Sequence, residues 1–191
     1  IYDGQSDVVT RLHGVQDRTW VSVSELQPST VYAFISAEDA RFFEHEGVDV
    51  IRIAGAIVAD IKAGSYVQGA STISQQLIKL SHLTSEKTIS RKAEEAALAY
   101  EMERQYSKED ILEMYLNYVY FGGGYYGIEA AAEGYFGVHA SDLTLDQSAM
   151  LAGILKSPSS YAPHINYAAS INRRNNILRL MRDYGYITDD E

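Results

Sequence analysis

Apolar residues recur at helical spacing along most of this chain. Pro28 stands in the first turn of a segment carrying Leu26, Val31, Phe34 and Ile35 towards Glu38, which predicts a helix ending near that glutamate. A second helix is predicted from Asp49 to Ala63, with Gly64 as its stop. Thr72 with Gln75 forms a capping box that opens a helix reaching Leu80. Ser107 with Asp110 opens another to Tyr118, and Thr144 with Gln147 a third. Between them, residues 88–106 place Ile89, Ala93, Ala96, Ala97, Tyr100 and Met102 along an Ala-rich helix with Arg and Glu on its polar side. The last helix spans about Tyr167 to Tyr184 and stops at Gly185.

The start of the chain reads differently. Val8, Val9, Leu12, Trp20, Val21 and Val23 lie among polar neighbours, a pattern for short strands or an extended segment. No repeat, low-complexity tract or linker-like stretch follows. The expectation is an all-α fold: an extended segment over residues 1–23 and one helical domain over 24–191.

Composition adds limits. The 191 residues suit one compact domain with a real core, and 46% hydrophobic with 22% charged residues is ordinary for a globular chain. Sixteen Lys and Arg against 26 Asp and Glu give a net charge of −10, which argues against a nucleic-acid binder and makes any local basic cluster informative. The absence of cysteine excludes disulfides, thiolate metal sites and a cysteine nucleophile. No uninterrupted apolar run reaches the roughly 18 residues of a membrane span. The chain opens on Ile1, and Thr188 to Glu191 read as a capping box with no helix after it, so the expectation is a piece of a longer protein.

Three segments concentrate chemistry. In EDARFFEHEG, residues 38–47, Glu38 and Asp39 directly follow the apolar stretch Val31 to Ala37. An acidic pair at a helix end is commonly a solvated face. At the edge of a core it suits a general base made more basic by partial desolvation. In GASTISQQLIKL, residues 69–80, Ser71 and Thr72 serve as helix caps, while Gln75, Gln76 and Lys79 add donors beside a helix N-terminus, a place for a phosphate or pyrophosphate. In RKAEE, residues 91–95, Arg91 and Glu95 are spaced for an i,i+4 ion pair; with Lys79 and Lys92 in an acidic chain they also suit a pyrophosphate clamp.

Residues 115–137 contain a formal G-x-G-x-x-G at Gly122, Gly124 and Gly127. It is not a dinucleotide fingerprint, because Ile111, Leu112, Tyr115 and Leu116 precede it at helical spacing where a strand is required; a flexible Tyr-rich loop is the reading. The five histidines show no metal-ligand spacing.

In this order the motifs resemble the glycosyltransferase domain of class A penicillin-binding proteins and their monofunctional relatives. EDARFFEHEG, GASTISQQ and RKAEE are similar to the family's first three signatures, KEDILEMYLNYVYFG to its fourth, and LDQSAMLAGILKSPSSYAP with Arg173 and Arg174 to its fifth. The resemblance implies a lysozyme-like helical domain with a core lobe and a smaller membrane-facing lobe. It implies polymerisation of lipid II into β-1,4 glycan strands, inversion at the donor anomeric carbon and release of undecaprenyl pyrophosphate. Glu38 would be the base and Glu95 a second catalytic residue, either holding a phosphate-bound cation or orienting the basic residues. Asp39, Phe42, His45, Gly69, Ser71, Thr72, Gln75, Gln76, Lys79, Arg91, Lys92, Asn117 and Tyr120 would bind substrate. No tightly bound cofactor is implied, only Mg or Mn travelling with the substrate pyrophosphate.

The resemblance also implies the extracytoplasmic face of the bacterial cytoplasmic membrane, fusion to a transpeptidase domain or a membrane anchor, and sensitivity to inhibitors of the moenomycin type. Residues 48–66, rich in Val and Ile, read equally as a core helix or an interfacial one; a lipid-linked substrate favours the interfacial reading. Three departures stand out: Leu80 replaces a common asparagine, Ser74 a common threonine, and Asn166-Tyr167 a frequent Asn-Pro. The alternatives are a lysozyme-like glycan-cleaving enzyme, which has no need of the basic cluster, and a helical glycan-binding scaffold.

Overall fold

The computed structural model describes residues 19–64, 69–82 and 88–191, and among them nine α-helices and no strand. The expected extended segment lies outside the described residues up to residue 18. From Thr19 the chain is irregular until Val23 opens a short 3-10 turn to Glu25.

A central stack is built from α1 (Pro28–Glu38), α7 (Leu145–Ile154) and α9 (Tyr167–Asp183), each in contact with the other two. Helix α7 is buried without interruption from Ser148 to Ile154, which explains its lack of a polar side. Its Thr144–Gln147 capping box forms as the sequence predicts. Thr30 on α1 and Ser148 on α7 share a 2.8 Å hydroxyl hydrogen bond, so the two polar groups in this contact satisfy each other.

A second group is made by α3 (Ile73–His82), α4 (Ile89–Glu103) and α5 (Lys108–Tyr118), with α3 against both others. Helix α5 also holds the incoming chain. The Asn117 amide accepts from Val21 N at 2.9 Å and donates to Val21 O at 2.8 Å, while Glu113 accepts from Trp20 Nε1, Ser22 Oγ and Val23 N.

Helix α2 (Val50–Ala63) is capped by the Asp49 side chain and ended by Gly64 in the left-handed conformation, as expected. It stands apart from both groups: Ala56 is its only buried residue, and Val50, Ile51, Ile57, Val58 and Ile61 are exposed. It is therefore not a core helix.

The flexible-loop reading of residues 115–137 is corrected. Helix α5 runs to Tyr118, a loop covers 119–127, and α6 (Ile128–Phe136) follows, ended by left-handed Gly137. Gly134 lies inside α6 where a Cβ would collide with the Tyr125 ring at 2.2 Å, and Tyr135 donates to Phe121 O at 3.0 Å. The glycines serve packing here, which conceals the helical period. The short α8 (Pro158–Tyr161) completes the fold.

Candidate active site

Helix α1 delivers Glu38 as its last residue, and four other helices contribute groups around it. From α3, Gln76 Nε2 donates to Glu38 Oε2 at 3.0 Å; from α5, the buried Tyr115 hydroxyl donates to Gln76 Oε1 at 3.2 Å. These two bonds fix which way the Gln76 amide points. Arg52 of α2 donates from Nη1 to the Glu38 carbonyl oxygen, and Arg173 of α9 supplies a further positive charge.

Burial raises the Glu38 pKa above its ordinary value. The Gln76 hydrogen bond, then the charges of Arg173 and Arg52, oppose this, and Asp39 adds to it. The balance is a carboxyl more basic than an exposed glutamate, half-buried at a helix end, which fits a general base.

Asp39, next in sequence, turns inward. It is fully buried, and its Oδ2 accepts from Ile73 N at 3.0 Å and meets His45 Nε2 at 2.9 Å, so it ties the start of α3 to the end of α1. Phe42 is fully buried with the Lys108 ammonium 4.5 Å from its ring centre. Thr72 and Gln75 exchange the hydrogen bonds of the predicted capping box, and Thr72 Oγ1 donates to Gly47 O at 2.6 Å. Gly47 has φ of 76°, and a Cβ there would meet the backbone of Ala99 and Tyr100 at 2.6–2.8 Å, so only glycine lets this loop seat on α4.

The cations lie along α3 and α4. Lys92 pairs with Glu95 and donates to Ser71 Oγ at 2.9 Å; Arg91 Nη1 is 3.9 Å from Glu95 Oε2. The Arg91 side chain is largely buried, yet its Nε and Nη1 atoms have no hydrogen-bond partner among the described residues. Lys79 is exposed on α3. Buried guanidinium donors without acceptors among the described residues have the chemistry to take an anion.

The family description "Transglycosylase" matches residues 5–182. The chain belongs to the transglycosylase family. It is 46% identical over its whole length to penicillin-binding protein 1A/1B of Bacillus subtilis and 41% identical to penicillin-binding protein 1A of Aquifex aeolicus, covering 21% and 26% of those proteins. The chain thus spans about a quarter of the length of such relatives. The crystal structure of penicillin-binding protein 1A from Haemophilus influenzae shares the fold, with TM-score 0.54 and 23% identity over 99% of this chain and 18% of that one.

Within this transglycosylase domain the expected site residues divide in two. Glu38, Gln76, Ser71, Lys79, Arg91, Lys92, Gly69 and Tyr120 are exposed or half-buried. Asp39, Phe42, His45, Thr72, Gln75 and Asn117 are buried and engaged with protein groups; Asn117 holds Val21. Glu95 is also buried, its two oxygens facing Lys92 and Arg91.

Three residues near Glu38 were not among those expected: Arg52, Tyr115 and Arg173. Tyr115 and Arg173 had a signal, as parts of the fourth and fifth signatures; Arg52 had none. The structure also gathers Glu129, Glu133 and His139, which histidine spacing could not show. His139 Nδ1 lies 2.6 Å from Glu129 Oε1, the Glu129 hydrogen bond raises the histidine pKa, and Glu129 Oε2 accepts from Ala140 N.

Proposed function

We propose that this domain is a peptidoglycan glycosyltransferase that polymerises lipid II, with the growing lipid-linked glycan as donor. The observation that carries this reading is the Glu38 carboxyl, desolvated at the end of α1 and aimed by the Gln76 and Tyr115 hydrogen bonds. Glu38 accepts the proton of the acceptor sugar's 4-hydroxyl as that oxygen attacks the donor anomeric carbon. The bond from that carbon to the pyrophosphate oxygen breaks on the opposite face, which inverts an α-linked donor to a β-1,4 product. Undecaprenyl pyrophosphate leaves with the electron pair, and Lys79, Arg91 and Lys92 stabilise its charge.

Glu95 serves by orienting Lys92 and Arg91. Its oxygens already face these two cations, so it does not fit the second role considered for it, holding a phosphate-bound Mg or Mn ion, and no step is routed through a metal.

Helix α2 rests on the lipid interface. No described helix is long and apolar enough to cross a membrane, but the exposed Val50, Ile51, Ile57, Val58 and Ile61 give α2 an outer apolar face suited to lying in one. On this reading, with lipid II as substrate, the domain works at the extracytoplasmic face of the cytoplasmic membrane, within a longer protein carrying an anchor or a transpeptidase domain.

Incubation of the purified domain with lipid II tests the reading. Glycan polymer is expected, and Glu38→Gln should lower its rate about a hundredfold to ten-thousandfold while the fold is kept. Cleavage fragments would indicate a lytic enzyme, and no reaction a binding module.

A further inference from the structure

Helix α2 carries, on the side away from its exposed apolar face, a cation that reaches into the site. With 3.6 residues per turn, Arg52 and Ala56 share one face of α2 and Val50, Ile57 and Ile61 the opposite one. Ala56 is the buried contact of that inner face, and Arg52 is its polar one. The Arg52 guanidinium donates from Nη1 to the carbonyl oxygen of Glu38 and stands 3.7 Å from Asp39 Oδ1.

This places a fixed positive charge at the C-terminal end of α1, where backbone carbonyls lack helical partners and the helix dipole is negative. It also bridges two consecutive residues with different tasks: the half-buried carboxyl that meets Gln76 and the buried carboxylate that holds the start of α3. We propose that Arg52 is a positioning residue of the transferase reaction, through which the membrane-facing helix α2 holds the Glu38 base in place and keeps it ionised. The proposal rests on the reading of Glu38 as the base.

The groups facing Glu38 are few: Asp39 beside it, Arg52 from α2, Gln76 from α3, Tyr115 from α5 and Arg173 from α9. Of the two cations, Arg52 is the one that also grips the Glu38 backbone. Its loss therefore has two consequences, a base that is harder to ionise and a base that is less well placed. A merely structural residue would produce neither without loss of fold.

The test compares pH profiles of lipid II polymerisation for wild type, Arg52→Ala, Arg52→Lys and Lys62→Ala, with circular dichroism to confirm folding. Lys62 is an exposed cation on the same helix and serves as the control. For Arg52→Ala the acidic limb should move to higher pH and kcat should fall about tenfold to a hundredfold, the range for a slightly misplaced catalytic group, with KM little changed. Arg52→Lys should restore the limb and recover part of kcat, and Lys62→Ala should match wild type.

A profile for Arg52→Ala that superimposes on wild type overturns the proposal. If Arg52→Ala does not fold, Arg52→Lys decides: wild-type kcat with a single charge and no guanidinium fork overturns the bridging role, and reduced kcat with an unmoved limb supports it. Glu38→Gln is measured alongside. If that variant stays active, the reading of Glu38 fails; if it is inactive while Arg52→Ala is normal, only the role of Arg52 fails.

Discussion

Gln76 joins Glu38 to Tyr115: its Nε2 donates to the Glu38 carboxylate at 3.0 Å and its Oε1 accepts from the Tyr115 hydroxyl at 3.2 Å. Burial first, then the Glu38 and Asp39 charges, push the Tyr115 phenol well above its ordinary pKa, so it remains a donor across the working range. The bridge favours ionised Glu38, since the amide N–H binds the charged oxygen best. Gln76→Ala should therefore raise the acidic limb of the pH profile and lower kcat/KM at neutral pH about tenfold, the equivalent of one charge-assisted hydrogen bond. Tyr115→Phe should shift the limb the same way by less. A limb that moves down in either variant contradicts the bridge.

Glu38 also bears on stability. Its folded pKa is raised above the unfolded value, mainly by burial, so the folded chain binds this proton more tightly. The associated stability is complete at pH values below the unfolded pKa and is lost as pH rises through the folded one. At neutral pH the ionised carboxyl therefore destabilises the fold. Glu38→Gln should melt above wild type at pH 7, and the difference should shrink as pH falls below the ordinary carboxyl range. Thermal melts at pH 4 and pH 7 check this; a variant less stable than wild type at pH 7 would count against the desolvation argument.

Arg91 and Lys79 are the groups left to meet an anion. Arg91 keeps buried N–H donors without acceptors among the described residues, whereas Lys92 is already engaged by Glu95 and Ser71. Arg91→Ala and Lys79→Ala should each weaken phosphoglycolipid inhibitors of the moenomycin type about tenfold to a hundredfold, since a hydrogen bond to a charged group contributes about 1.5–3 kcal/mol. Isothermal titration of the inhibitor reads the change. Undiminished affinity in both variants would move the anion site elsewhere.

Helix ends were legible because their determinants are local. The boxes at Thr72, Ser107 and Thr144 each rest on residues three apart, and all three form. Helix α6 was hidden because Gly134 answers to the Tyr125 ring rather than to helix propensity. Residue type did not reveal direction: Glu38 and Asp39 are neighbours, yet one is half-buried against Gln76 and the other caps α3 from within. His45 and Asn117 likewise carry chemistry that the fold spends on its own backbone and side chains. Arg52 could not be foreseen, because its partner is a carbonyl oxygen, which sequence does not mark.

The outer face of α2 is where sequence left two readings level and the structure separates them. A core helix buries its apolar residues, but here Val50 is 69% exposed, Ile57 55% and Ile61 74%. Such a patch on a folded domain calls for an apolar partner, and the lipid-linked substrates proposed above make the bilayer interface the fitting one. Ile53 is half-buried beside Arg52, so a change there would disturb the site as well as the surface. Ile57 and Ile61 lie four apart on the outer face and touch neither. Changing both to Ser removes two side chains whose full burial contributes about 1.5–3 kcal/mol each, so association with liposomes should weaken by tenfold or more. The helical content and melting temperature should hold, because neither residue is in the core. Polymerisation of lipid II in vesicles should fall, and activity in detergent should not. Equal vesicle binding by the double variant and wild type would assign membrane contact to another part of the protein.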